Sequence, residues 1–395
     1  MNAISLYIGS LMFFLLSSLW GRRMAVLKIL FIWLFFVIVW GGSVENGADW
    51  IWYKNEFLKI SESSSVINAV LTSDFELGFA LIIYIFHALG WNFQALIFCC
   101  ALVFSTSWII FIKGVNARPQ ALMASAILFF LFGWSLYNEQ IRQAFSISVG
   151  FFAFVFWIRK RFIAAILVVL ISMAFHKSAF VFFILFFIYQ KVSEITEKRD
   201  VWVFMRRSWV AVLLVVLLFP LAVKNDYFNF LAGFGIYQKL YIYLNDDNFG
   251  SSIFSFGMVS YLLGFFVFAR GLQFSLNQKN HFITFCWILL GLWCVLGPLL
   301  RMQAIFVRFE VFLLIFSPTA IAYVFQKKND NIFKVLVVLF VASFVVRTIF
   351  QAGQEEWIWD YRNIFFGSSS DDLRIDRVCE NLRAVGNDFC SGVIK

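Results

Sequence analysis

The stretch "YNEQIRQAFSISVG" (137–150) places Glu139, Arg142 and two glutamines between two long apolar runs. Asn138 and Arg142 are four apart, Glu139 and Arg142 three, and Arg142 and Ser146 four, so on a helix they share one face. Ionisable side chains at membrane depth are costly and mark function as a rule. A helix starting here adds its partial positive charge to the Arg142 guanidinium, a setting that suits an anion and above all a phosphate. The same spacing also permits a plain Glu139–Arg142 pair snorkelling to the interface.

Three further groups carry chemistry. Arg301 and Arg308 are seven apart, two helical turns, with Gln303 and Glu310 close by. Arg301 suits an interfacial anchor, whereas Arg308 falls deeper, where a charge calls for a functional reason. His176, one of three histidines, is followed by Lys177 in the middle of an apolar run. Such a histidine can act as general base, donate to an oxyanion, or serve as a hydrogen-bonded structural residue. His87 and His281 read as structural. The stretch "GADWIWYKNEF" sets Asp49, Trp52, Tyr53 and Glu56 together, with Asp49 and Tyr53 on one helical face and Trp52 and Glu56 on another. Carboxylates among ring faces hold sugars through hydroxyl hydrogen bonds and ring stacking, and an interfacial aromatic belt has the same composition. Tyr237, Tyr241 and Tyr243 in "IYQKLYIYL" admit both readings, as do Trp357, Trp359 and Tyr361 in "WIWDYRN".

The elements that must position these groups follow from composition. The chain has 395 residues, 62% of them hydrophobic and 14% charged, with a mean hydropathy of +0.84. A water-soluble fold cannot bury that much apolar surface, so the chain is read as an all-α, polytopic membrane protein. Unbroken apolar runs argue against a β-barrel. The aromatic share, 21% with 54 phenylalanines, suits lipid-facing helices and interfacial belts. The first run, with no basic leader, is read as a retained helix.

Spans of about 20 apolar residues are expected at 3–20, 25–42, 75–89, 92–112, 120–137, 141–158, 162–175, 178–190, 208–223, 253–270, 282–299, 304–325 and 331–349. That makes about 12–13 transmembrane or re-entrant helices in a single domain, 1–350, followed by a polar tail, 351–395. The loops at 21–28, 113–118, 159–161, 191–207, 270–279 and 327–334 hold 18 of the 32 Lys and Arg against four acids, a net +14. The rest of the chain nets −5, so the basic loops are expected in the cytoplasm and 43–74, 224–252 and 351–395 outside. The run 162–189 reads as a short hairpin with a recessed His176–Lys177 tip. The run 75–89 is expected to be re-entrant or non-spanning, unless the first helices break the charge rule. Cys99, Cys100, Cys286 and Cys294 lie in apolar runs as packing residues, and Cys379 and Cys390 in the tail could bridge outside the cytoplasm. No metal-ligand spacing appears, no cofactor is expected, and nucleic acid is not an expected partner.

Taken together, "GADWIWYKNEF", "FELGF", "IRQAFSISVGFFAF", the basic turn after it and "MAFHKSAFVFF" resemble the EpsG/Wzy group of bacterial polysaccharide polymerases. "YQKLYIYL" and "VRFEVFLLIF" fit more loosely, and Ala144-Phe145 departs mildly from the usual hydrophobic-Ala pair after the Arg-Gln. The resemblance covers about 40–350 and is most specific over 137–181. It implies a metal-independent glycosyltransferase of the inner membrane that joins undecaprenyl-diphosphate-linked oligosaccharide repeat units at the periplasmic face. The product would be an O-antigen of lipopolysaccharide or a capsule. A donor, an acceptor, membrane lipid and a chain-length regulator protein are the implied partners. On this footing Arg142, Gln143, Arg308 and Arg301 are candidate diphosphate ligands. His176, Asp49 and Glu139 are candidates for proton transfer, and Trp52, Tyr53, Tyr237 and Tyr241 for glycan contact.

An O-antigen ligase, an acyltransferase, a lipid-linked sugar flippase and a secondary transporter share part of this logic. Against the transporters stand the missing internal repeat and the missing matched helix breaks. Gene deletion separates these classes, since a lost polymerase leaves single repeats on the surface, a lost ligase leaves full chains on the lipid carrier, and a lost flippase leaves nothing outside.

Overall fold

The computed structural model describes residues 9, 25–44, 50–115, 126, 128–130, 132–133, 136, 140–198, 257–300, 304–324 and 331–354. They form helices joined by turns, an all-α polytopic membrane architecture. Among the described residues four helical stretches are long and apolar enough to cross a bilayer: Phe93–Gly114, Ile141–Ile158, Lys177–Thr196 and Val259–Asn277. Six further apolar helices among them are shorter. The chain divides into two compact units, Met1–Phe183 with Ile349–Lys395, and Ile184–Thr348. The expected disulfide pair, Cys379 and Cys390, lies outside the described residues. Cys99, Cys100, Cys286 and Cys294 are unbridged.

The first unit starts with α1 (Ala25–Phe36), which ends in one π-helical turn, Val37–Gly41. The wide turn leaves carbonyls without helical partners. Gln94 supplies them, its Nε2 donating to Gly41 O at 2.9 Å and Ser43 O at 3.0 Å. Next come α2 (Trp50–Ser61), α3 (Val66–Thr72), α4 (Leu77–Ala88) and α5 (Phe93–Gly114). At about 1.5 Å per residue, α4 spans roughly 18 Å, too short to cross a hydrocarbon core of about 30 Å.

Helix α6 (Ile141–Ile158) packs on α5 and, most extensively, on α7 (Phe162–Phe175). Two fully buried serines join α6 to α7. Ser146 Oγ donates to Ser172 O at 2.9 Å, and Ser172 Oγ returns a bond to Ser146 O at 2.6 Å. Lipid offers no hydrogen bonds, so such pairs set helix register. Lower on α6, a Cβ at Gly150 would stand 1.9 Å from the Phe182 ring, so only glycine admits that ring. The helix after α7 breaks at His176, whose backbone is extended, and resumes as a 3₁₀ turn (Lys177–Phe180) leading into α8 (Val181–Lys198). The second limb is longer than the expected 178–190. Lys191 pairs with Glu194 at 2.9 Å one turn on, so the helix continues once the apolar run has ended.

Many aromatic side chains face inward. Phe36, Trp40, Phe104, Trp108 and Phe129 are fully buried and stack within 4.6–6.3 Å of one another. The exposed large side chains are mostly Leu, Ile and Val, as on α7 at Ile163, Leu167, Leu170 and Ile171. Trp91, Phe162, Phe180, Phe187 and Phe266 are exposed among the described residues, so aromatics serve both the surface and the interior. Offset ring pairs fill an interior that aliphatic chains would leave looser, while branched aliphatics suffice against acyl chains.

In the second unit α9 (Gly257–Asn277) and α10 (His281–Leu300) pack closely, joined by a turn in which Lys279 has φ +51°. A Cβ at Gly271 would lie 2.4 Å from the Trp287 ring, and one at Gly297 2.3 Å from Tyr261. The expected span 304–325 divides into α11 (Ala304–Leu314) and α12 (Ser317–Val324). Pro318 has no N–H to continue the helix, and Ser317 Oγ caps the break by donating to Leu314 O at 2.6 Å. Helix α13 (Asn331–Gln354) brings Phe340 against Trp293 at 6.1 Å.

Two outcomes follow for stability in detergent. Ser172→Ala removes one of the reciprocal bonds and should cost about 1 kcal/mol of unfolding free energy. Gly150→Val must displace Phe182 and should cost about 1–3 kcal/mol. Both are read from denaturant titration of the purified protein.

Candidate functional site

Helix α6 begins at Ile141, so Arg142 stands in its first turn, next to the positive end of the helix dipole. The residue is only 6% exposed. Its partner is Glu76, 66 positions earlier in the chain, with Arg142 Nη1 donating to Glu76 Oε2 at 2.7 Å. The guanidinium carbon lies 4.3 Å from the Phe75 ring centre, 4.7 Å from Trp52 and 5.7 Å from Tyr53. Three ring faces and one carboxylate therefore surround one cation. Arg142 Nε is buried and has no hydrogen-bond partner among the described residues.

Each wall of this box has a local cause. Helix α2 presents Trp52 and Tyr53 side by side, and Tyr53 and Phe57 join the apolar core with Phe75, Phe79 and Phe145. Glu56, 4% exposed on the same helix, accepts from the backbone N–H of Asp74 at 3.0 Å. That bond, with Ser73 Oγ accepting from Phe75 N at 3.0 Å, fixes the bend from which Phe75 and Glu76 project. Glu76 sits at the N-cap position of α4, and its carbonyl accepts from Phe79 N at 2.9 Å and Ala80 N at 3.0 Å.

The His176 tip meets the same carboxylate. Glu76 Oε1 accepts from Lys177 N at 3.4 Å. His176 caps its own 3₁₀ turn, with Nδ1 accepting from Ser178 N at 3.2 Å and 2.6 Å from Ser178 Oγ. Nε2 carries a proton both in the neutral ring whose Nδ1 accepts from Ser178 N and in the charged ring that favours the Glu76 carboxylate, so it is a donor in either form. Burial pushes the Glu76 carboxyl up, but Arg142, then His176, then the backbone N–H groups of Glu76 and Lys177 outweigh it and hold it below the usual carboxyl range.

The structure thus brings together Arg142, Trp52, Tyr53 and the His176 turn. Gln143 follows Arg142 on α6, 1% exposed. Ser146, expected on the Arg142 face, bonds to α7 instead. Asp49, Glu139, Arg301, Tyr237 and Tyr241 lie outside the described residues. Arg308 is on α11 of the second unit, and its side chain also lies outside them. Glu76 is the site residue that spacing did not single out. Its signal was there in "FELGF", an acid at the start of an apolar helix, where ionisable groups are costly.

A second buried carboxylate lies within the other unit. Glu310, 5% exposed, accepts at Oε1 from Tyr261 OH at 3.0 Å and Trp293 Nε1 at 2.7 Å. Among the described residues no group of three or more His, Cys, Asp or Glu is placed to hold a metal ion.

The depressed Glu76 value gives a pH prediction. The stabilisation from this carboxylate is fully present above its ordinary value of 4.5 and is lost as pH falls through the lower folded value. Wild-type protein should therefore be more heat-stable than Glu76→Gln at neutral pH, and the gap should close on acidification below 4.5, as followed by melting in detergent.

Against known proteins, no curated sequence and no solved structure matches the chain. The family model described as "EpsG family" matches residues 24–363, which take in both units and every element around Arg142. On that match, which extends well over half of the sequence, the chain belongs to the EpsG family, and a polysaccharide polymerase-type function in the membrane goes with that membership.

Proposed function

We propose that this protein is a metal-independent glycosyltransferase that polymerises oligosaccharide repeat units carried on undecaprenyl diphosphate. It would work at the periplasmic face of the bacterial inner membrane, with O-antigen as the product. The observation that carries this reading is the buried Arg142 guanidinium at a helix N-terminus, with one N–H uncommitted and ring faces around it. A diphosphate is the leaving group this geometry suits, because its oxygens can accept paired N–H bonds from a planar guanidinium, it carries several negative charges, and the helix end favours an anion.

In the reaction, a hydroxyl of the acceptor repeat attacks the anomeric carbon of the donor sugar. A new C–O bond forms, the bond from that carbon to the diphosphate oxygen breaks, and the diphosphate leaves with the electron pair. Arg142 meets the growing charge, with Gln143 beside it on α6; Arg301 and Arg308 keep their candidacy as ligands on the grounds of sequence. His176, as an Nε2–H donor, suits the oxyanion task of its two candidate roles. The proton of the attacking hydroxyl then passes to Asp49 or Glu139. Trp52, half-buried, is the ring of the box that can meet the glycan, whereas Tyr53, 4% exposed, is taken up by Arg142 and the core; Tyr237 and Tyr241 are further candidates. Exposed Leu77, next to Glu76, and exposed Ile171 on α7 offer aliphatic surface for a polyprenyl chain. A chain-length regulator protein would act on this enzyme from outside the site.

The test is polymer formation by purified, reconstituted protein supplied with lipid-linked repeats. Arg142→Ala should lower turnover about 100-fold or more, the usual cost of a lost charge-stabilising donor. Arg308→Ala and His176→Ala should each lower it too. Unchanged polymer from all three variants rejects the assignment, and transfer onto a lipid A core acceptor instead would make the protein a ligase.

A further inference from the structure

We propose that Glu76 is the positioning residue of this site, setting the plane of the Arg142 guanidinium and its distance from the His176–Lys177 turn. The proposal rests on Arg142 being a diphosphate ligand. It assigns a task to the segment Phe75–Phe79, "FELGF", of which the proposed reaction uses only Leu77, as lipid-facing surface.

The geometry divides the labour residue by residue. Phe75 lays its ring on the guanidinium at 4.3 Å. Glu76 holds Arg142 with Oε2 at 2.7 Å and the backbone of Lys177 with Oε1 at 3.4 Å, so one carboxylate ties α6 to the turn after α7. Leu77, 60% exposed, points away from the core. Gly78 lets the start of α4 lie against the end of α7: a Cβ there would stand 2.8 Å from Ala174 O and 3.0 Å from the Phe175 ring. Phe79, 1% exposed, sits beneath Phe75 at 5.7 Å and beside Phe145 of α6 at 6.4 Å. Glu56 fixes the approach to this segment through Asp74 N. Every contact serves to keep one carboxylate at a fixed place between two other elements.

An arginine side chain has several rotatable bonds and loses entropy when ordered. A guanidinium already ordered by Glu76 and Phe75 needs no reorganisation as charge develops on a leaving diphosphate. The carboxylate therefore acts on turnover through Arg142. Some electrostatic competition with a bound anion is the accompanying cost, so donor affinity should not fall when the charge is removed.

The experiment compares wild type, Glu76→Gln, Glu76→Asp, Gly78→Ala, Arg142→Ala and the Glu76→Gln/Arg142→Ala double variant. All are reconstituted with lipid-linked repeats and followed for kcat and KM across pH. Glu76→Gln should lower kcat about 100-fold with donor KM unchanged or lower, the scale of a misplaced catalytic group. Glu76→Asp should recover part of the loss, and Gly78→Ala should lower kcat while leaving the carboxylate in place. The part of the acid limb contributed by Glu76 should be missing in Glu76→Gln, leaving the limb of the proton-accepting carboxylate. The double variant should be no worse than Arg142→Ala alone.

Full activity of Glu76→Gln alongside an inactive Arg142→Ala overturns the positioning role and leaves the diphosphate reading standing. Full activity of Arg142→Ala removes that reading and this proposal together. Additive losses in the double variant, or increased turnover in Glu76→Gln, also overturn the positioning role. Should Glu76→Gln not fold, wild-type activity in Gly78→Ala together with no kcat change in Glu76→Asp decides against it.

Discussion

A guanidinium cannot shed its charge, so burying Arg142 obliges its surroundings to answer for that charge. Its place makes the demand sharper. The first turn of α6 is the positive end of a helix dipole, the wrong end for a cation. Each of the three ring faces helps, at about 0.5–2 kcal/mol for a cation over a ring. Stripping a buried pair of one partner costs about 3–5 kcal/mol. Summed over three rings the two contributions are of the same order, and only the carboxylate of Glu76 neutralises the charge. Glu76 in turn stands at the start of α4, where the dipole favours an anion. The two helix ends oppose and support the two charges respectively, and the ion pair resolves the conflict.

The same constraint recurs wherever polar groups meet the apolar interior. Gln94 answers the carbonyls left open by the π turn. Ser146 and Ser172 answer each other. Glu310 is answered by a tyrosine hydroxyl and an indole N–H. Ser146, Ser172 and Glu310 are buried away from water, so their bonds also fix the register of the elements they join. Glycines do the complementary work. At Gly78, Gly150 and Gly297 the absent side chain is what lets a carbonyl or a ring come close enough for those bonds to form. Aromatic stacking fills the remaining space, which is why so many rings lie inside and so many branched aliphatics outside.

On the proposed reading, function draws on the part of this scheme that is least comfortable. A paired, ring-walled guanidinium is ordered before any ligand arrives, and ordered donors are what a developing negative charge requires. The EpsG family match supplies the chemical setting, and the geometry around Arg142 shows how a membrane protein keeps such a group in place.

What sequence alone settled was set by period and composition. Apolar runs of helical length define an all-α membrane protein, and Arg142 and His176 stand out because ionisable residues are costly in lipid. The break at His176 and the shortness of 75–89 could also be read from run lengths. The partner of Arg142 could not. Local spacing pointed to Glu139 three residues away, whereas the pair that formed spans 66 positions. Helical spacing ranks only neighbours on one helix, while α4, α6 and the turn after α7 meet through packing. Nor could spacing say that Trp52, Tyr53 and Phe75 share one cation, or that Ser146 faces α7. Those facts depend on which helices touch, and in lipid that choice is made by small residues and buried polar pairs distributed across distant segments.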